Sequence, residues 1–154
     1  MLQKPINYLK SSCLLGLFSL VFAASAQAEF RSIAPVKAVL YDAPSLEASK
    51  LYILSQGYPV EIIVNLSGWL KVRDALGGLN WIESKQLSPK RTVLVITKAE
   101  IKAGEDAASA LLATVEPDVV LELVSPLNKN GWVKVKHRDG VVGYVQASAV
   151  WGLH

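Results

Sequence analysis

The chain has one cysteine and two histidines in 154 residues. The cysteine, Cys13, lies in a leading segment that reads as removable, so the remainder carries neither a disulfide nor a thiol nucleophile. His137 and His154 are too few and too scattered for a zinc site or a Cys–His catalytic pair. No metal and no cofactor is therefore expected, and the fold must rest on its apolar core. A long hydrophobic run is also missing. The most apolar stretch, Cys13 to Ala24, is about twelve residues, well short of the roughly twenty that cross a bilayer as a helix.

That stretch has the form of an export signal. Lys4 and Lys10 precede it, and Ala26-Gln27-Ala28 supplies the small residues of a cleavage site, so residues 1–28 are expected to be removed by a cut after Ala28. Cys13 opens the apolar run instead of closing it, which argues against lipidation. The expected product is periplasmic or secreted, with no stable membrane span. Removing this segment takes two of the 16 basic residues and none of the 13 acidic ones, so the net charge falls from +3 to +1. Nucleic acid is thereby excluded as a partner, since its phosphates call for a large basic excess. The local cluster Lys129, Lys134, Lys136, His137 and Arg138 reads as a solvated strand face and its turn.

What is present is a repeat. Gly68-Trp69-Leu70-Lys71-Val72-Arg73 returns 63 positions later as Gly131-Trp132-Val133-Lys134-Val135-Lys136, and Trp81-Ile82 returns as Tyr144-Val145. A fixed offset across a two-part pattern makes each copy one folding unit. The expected organisation is unit one at residues 29–87, a stiff linker at 88–91 and unit two at 92–154. Units of about sixty residues bury too little alone, so packing between them is expected to add stability.

Within unit one, a lead at Glu29 to Pro35 is followed by five short strands: Val36 to Tyr41, Leu51 to Leu54, Val60 to Val64, Trp69 to Asp74 and Leu79 to Glu83. Unit two repeats the order through Ala99 to Lys102, Ala108 to Leu111, Val119 to Leu123, Trp132 to Lys136 and Gly143 to Val145, after an added β-branched run at Thr92 to Thr97. Ala107 to Leu112 admits a turn of helix as a second reading. Asp139-Gly140 marks a tight hairpin turn. The fold class is all-β, two tandem small barrels of five strands each.

The Ala-Val-Leu-Tyr strand, the Pro-containing loop, the Gly-Trp-aliphatic-Lys-Val strand and the late Trp-Ile or Tyr-Val pair resemble the bacterial SH3-like domain, SH3b. This resemblance covers residues 36 to 87 and, more weakly, 92 to 151. It implies binding modules of exported proteins, often near peptidoglycan and often attached to hydrolases. Ala38-Val39-Leu40-Tyr41-Asp42 is also similar to the opening motif of eukaryotic SH3 domains, which would place Tyr41 and Trp69 in an aromatic groove. Glu83 and Leu87 replace the Pro and Tyr of that pattern, and Lys102 stands in the Tyr41 position of unit two.

The catalytic inventory is thin. His137 with Asp139 reads as turn chemistry, and Asp42, Glu47, Glu61 and Asp74 read as scattered surface carboxylates instead of a glycosidase pair. The aromatic residues remain. Trp69 and Trp132 fall in the outward phase of their strands, where an indole either offers a contact surface or seals the barrel, and Trp81 and Tyr144 read more as seals. The expectation is a non-enzymatic module that binds a peptide, peptidoglycan or an envelope protein. Tyr41, Tyr58, Trp69 and Trp81 would be its aromatic contacts, and Asp42 and Asp74 its charge partners. The alternative is an assembly partner that packs on another envelope protein.

Overall fold

The computed structural model describes residues 28–125 and 130–153. The body of the export segment, Lys129 and His154 lie outside the described residues. No helix among the described residues is long and apolar enough to cross a membrane.

Unit one contains β1 (Glu29–Ile33), β2 (Lys37–Tyr41), β3 (Lys50–Ser55), β4 (Pro59–Leu66), β5 (Trp69–Arg73), β6 (Leu79–Glu83) and, after a 3₁₀ turn at Ser84–Gln86, β7 (Leu87–Ser88). Their order across the sheet is β3-β2-β6-β5-β4-β1-β7, and every pairing is antiparallel. Six of the strands feed one cluster of buried residues: Ile33, Ala38, Leu40, Leu54, Val60, Leu70, Val72 and Ile82. Leu87 of β7 packs against it, so the sheet must curl around a single core.

Unit two repeats this with β8 (Thr92–Val95), β9 (Ala99–Lys102), β10 (Leu111–Val115), β11 (Val120–Ser125), β12 (Trp132–Lys136), β13 (Val142–Gln146) and β14 (Val150–Trp151), in the order β10-β9-β13-β12-β11-β8-β14. Its core is richer in valine, with Val93, Val95, Val115, Val133, Val135, Val145 and Val150 around Ile101 and Leu121.

Each unit thus has seven strands, not five. The two additions have different causes. β1 falls in the expected lead and lacks a clean alternation, with Phe30, Ser32 and Ile33 all buried. Ile33 points into unit one, whereas Phe30 meets Trp151 of unit two edge-on at 5.0 Å. β8, its counterpart, is buried at all four positions. Val93 and Val95 enter its own core, while Thr92 donates from Oγ1 to the Gly57 carbonyl of unit one at 2.6 Å. Strands covered on both faces lose the period-two signal. The second addition, β7 and β14, is only two residues long in each unit, too short to show a period. Ser88 of β7 pairs with Ser32, so the first sheet runs one residue into the expected linker.

The linker is tied to both units. The Arg91 guanidinium donates to the Gly152 carbonyl at 2.9 Å and lies 5.7 Å from the centre of the Phe30 ring. Lys90 pairs with Glu122 at 2.8 Å.

Two turns explain the repeated glycines. Gly68 and Gly131 have φ of 80° and 77°, and nothing lies within 4 Å of where a Cβ would be, so backbone conformation rather than space requires glycine there. Each carbonyl accepts an amide 16 residues later, from Ser84 and Ala147, both at 2.9 Å. The hairpin expected at Asp139-Gly140 is closed by the His137 amide on the Val141 carbonyl at 2.8 Å, as Asp74 and Gly78 close its equivalent. Residues 107–112 form turns and the start of β10, with no helix.

Candidate functional site

The outer face of β2, β6 and β5 collects three of the expected contacts. Leu70 and Val72 point into the core, so Trp69 and Lys71 point out, and the same phase turns Trp81 and Glu83 outward from β6. Register sets Tyr41 beside Trp81, Trp81 beside Lys71 and Trp69 beside Glu83. Tyr41 and Trp69 meet edge-to-face, with centroids 5.4 Å apart and planes at 88°. The Lys71 ammonium lies 5.9 Å from the Trp81 ring centre.

The members of this face differ in role. Tyr41 is only 7% exposed, so its ring supports Trp69 from beneath and offers little surface to a ligand. Trp69 and Trp81 are half-buried and present indole surface. Glu83 holds Lys85 at 2.8 Å, and that hydrogen bond keeps its carboxyl below the usual glutamate range. Asp42 stands exposed beside Tyr41, and its Oδ1 accepts the Ser49 amide at 3.0 Å, bracing the loop between β2 and β3.

Asp74 and Tyr58 belong elsewhere, and the expectation that they share the site does not agree with the geometry. Asp74 is buried, and its Oδ1 accepts the amides of Leu76 at 2.9 Å and Gly78 at 2.8 Å. Its Oδ2 accepts from the Tyr52 hydroxyl, which in turn accepts from the Asn80 amide. Both carboxylate oxygens are thus committed to closing the end of the barrel. Tyr58 packs on the core, and its hydroxyl accepts the Ala75 amide at 3.2 Å. Burial raises the pKa of both phenols, helped at Tyr52 by the hydrogen bond to Asp74.

Unit two substitutes this closing cluster as a set. By register and turn position, Ala113, His137 and Gly143 replace Tyr52, Asp74 and Asn80. A Cβ on Gly143 would come within 2.5 Å of the Lys102 carbonyl, so no side chain fits where Asn80 sits in unit one.

On the outer face of unit two, Lys102 pairs with Tyr144 as Tyr41 pairs with Trp81, and Lys134 lies 5.7 Å from the Tyr144 ring centre. The lysine–aromatic pair is therefore present in both copies. Trp132 is buried, in contrast to the exposed indole its strand phase suggested. It borders a hollow of about 280 Å³ together with Lys102 and Gln146.

Lys71 and Glu83 were missed as members of the face. The signal for Lys71 was present, since each copy has lysine three residues and an aromatic thirteen residues after its glycine. His137 Nδ1 lies 3.2 Å from Asp139 Oδ2 inside the hairpin turn, with Asp139 72% exposed. Among the described residues no group of three His, Cys, Asp or Glu could hold a metal ion.

A family model described as bacterial SH3 domain matches the chain twice, at residues 34–89 and 101–152. A search of curated proteins finds no match. Among solved structures the chain is similar to NlpC2 from Trichomonas vaginalis, at 19% identity and a TM-score of 0.38, over 81% of this chain and 48% of that one. It is also similar to NlpC1 from Trichomonas vaginalis, at 17% and 0.39, over 83% and 47%. An NlpC/P60 family protein from Bacillus cereus aligns at 16% and 0.36, over 79% and 55%. The chain spans about half the length of these structures.

Proposed function

Because the chain belongs to the bacterial SH3 domain family, we propose that it is an exported, non-catalytic binding module whose unit one takes a peptide or peptidoglycan strand across the Trp69–Trp81 face. The observation that carries this reading is the placing of two half-buried indoles on one outer face, with Tyr41 locking one ring and Lys71 beside the other. Indole faces take the apolar faces of sugars and aliphatic side chains, and Lys71 and Glu83 supply charges that orient a ligand. A preformed aromatic pair also loses little side-chain freedom on binding. The predicted cut after Ala28 would leave Glu29, the first residue of β1, as the N terminus.

Titration of tryptophan fluorescence with soluble peptidoglycan fragments tests this. The expected result is a saturable change that Lys71→Ala weakens and Trp69→Phe weakens by about tenfold. A change of equal affinity in Trp69→Phe would count against the face.

A second reading, an assembly partner in the envelope, draws on two edge strands. Among the described residues β3 and β10 each pair with one neighbour only, and they expose Leu51, Ile53, Leu111 and Leu112. Recovery of one stoichiometric envelope protein, lost on Ile53→Lys and unaffected by Trp69→Phe, would favour it.

A further inference from the structure

A cleft of about 920 Å³ runs between the two units, with walls from both and from the linker. Its size is that of a site for a ligand of a few residues. Phe30 against Trp151, Arg91 on Gly152 and Thr92 on Gly57 join its walls.

Two features of the cleft depart from the repeat that built it. The first is Asp118. It has φ of 67°, the one non-glycine residue with positive φ among those described, and its amide donates to the Val95 carbonyl. Its counterpart in unit one is Gly57, with φ of 82° and its amide on the Ile33 carbonyl. Register fixes the equivalence, since Ser32 faces Pro59 as Leu94 faces Val120. A left-handed backbone costs an L-residue what it does not cost glycine. Unit two therefore carries an aspartate in a slot where unit one uses glycine, and that residue lines the cleft.

The second is Lys136. In unit one the equivalent cross-strand pair is closed, Arg73 to Glu61 at 3.1 Å. In unit two Glu122 still faces Lys136 in register, but the linker ammonium of Lys90 takes its carboxylate at 2.8 Å. No carboxylate among the described residues lies within ion-pair distance of Lys136, and no cation within that distance of Asp118. Of the charged residues that line the cleft, Lys90 and Glu122 pair with each other and His137 and Arg138 reach Asp139, which leaves Asp118 and Lys136 as the lining anion and cation outside an ion pair.

We propose that this inter-unit cleft is a second binding site, separate from the Trp69–Trp81 face, for a short zwitterionic peptide, with Asp118 receiving its ammonium group and Lys136 its carboxylate. Opposite charges fixed on opposite ends of a ligand must meet both side chains at once, which selects for free termini. Nothing in this proposal depends on unit one's aromatic face binding anything.

The test is a titration of the ¹⁵N-labelled protein with trialanine, and in parallel with acetylated, amidated trialanine, followed by amide shifts. Trialanine is expected to shift Gly57, Thr92, Asp118 and Arg138 saturably, and the blocked peptide to shift none of them. Asp118→Gly is the informative variant, because it relieves the backbone: its Tm should stay level or rise while the affinity falls by about tenfold or more. Lys136→Gln should weaken binding similarly. Equal response to both peptides, shifts confined to Trp69 and Trp81, no saturable shift at millimolar peptide, or wild-type affinity in a folded Asp118→Gly would overturn the proposal.

Discussion

Asp74 shows how residue type alone misleads. An aspartate at a strand end, near aromatics, fits a charge partner for a ligand, but this one is spent on the Leu76 and Gly78 amides and on Tyr52. Asp74→Ala would strand three donors, so a loss of about 2–3 kcal/mol is expected in denaturant unfolding, with ligand affinity unchanged in the folded fraction. Asp74→Asn, which can still accept amides, should lose less. Glu122 behaves differently. The hydrogen bond from Lys90 holds its carboxyl below the usual glutamate value of 4.5, with further help from the charges of Lys90 and Lys136. A lowered folded-state pKa means the contribution is present above 4.5 and fades as pH falls toward the lowered value. Both side chains are more than one-third exposed, so the effect is small and salt-sensitive. Stability measured across that acid range should be slightly flatter in Glu122→Gln than in wild type, and the difference should shrink in high salt.

At the scale of elements, legibility followed exposure. The core strands of both units were readable because one face was wet: Leu70 and Val72 alternate with Trp69, Lys71 and Arg73 in β5, and the same phase recurs in β12. β1 was not readable, because unit two covers the face that would have been polar, leaving Phe30 and Ser32 buried beside Ile33. The face holding Trp69 and Trp81 could be anticipated from strand phase, but the burial of Tyr41 beneath Trp69 depends on which strands become neighbours. Strand order is not local information. Tyr58 and Asp74 were drawn into the site for the same reason, since in the sequence they lie as near Trp69 as Trp81 does. The Gly-Trp step is local, and it predicts a matched pair of effects. Gly68→Ala and Gly131→Ala should each cost about 1–2 kcal/mol through backbone strain alone, because both sites are open. Unequal costs in thermal melts would show that the two turns are not equivalent.

For the whole molecule, the two barrels are coupled through a small set of contacts: Phe30 on Trp151, Arg91 on Gly152, and Thr92 on Gly57. Units of this size have little stability to spare, so coupling should make them melt together. Phe30→Ala removes a buried ring from that contact and is expected to cost about 3 kcal/mol. It should also split a single calorimetric transition into two, whereas a single sharp transition in the variant would place the coupling elsewhere. We propose above that the tandem binds peptide or peptidoglycan through unit one. The most direct measurement is co-sedimentation of the purified protein with peptidoglycan sacculi, wild type beside Trp69→Ala, with thermal melts of both. The wild type is expected to pellet with sacculi, and a folded Trp69→Ala to stay in the supernatant. Folded wild type remaining in the supernatant, or both proteins pelleting alike, would contradict it.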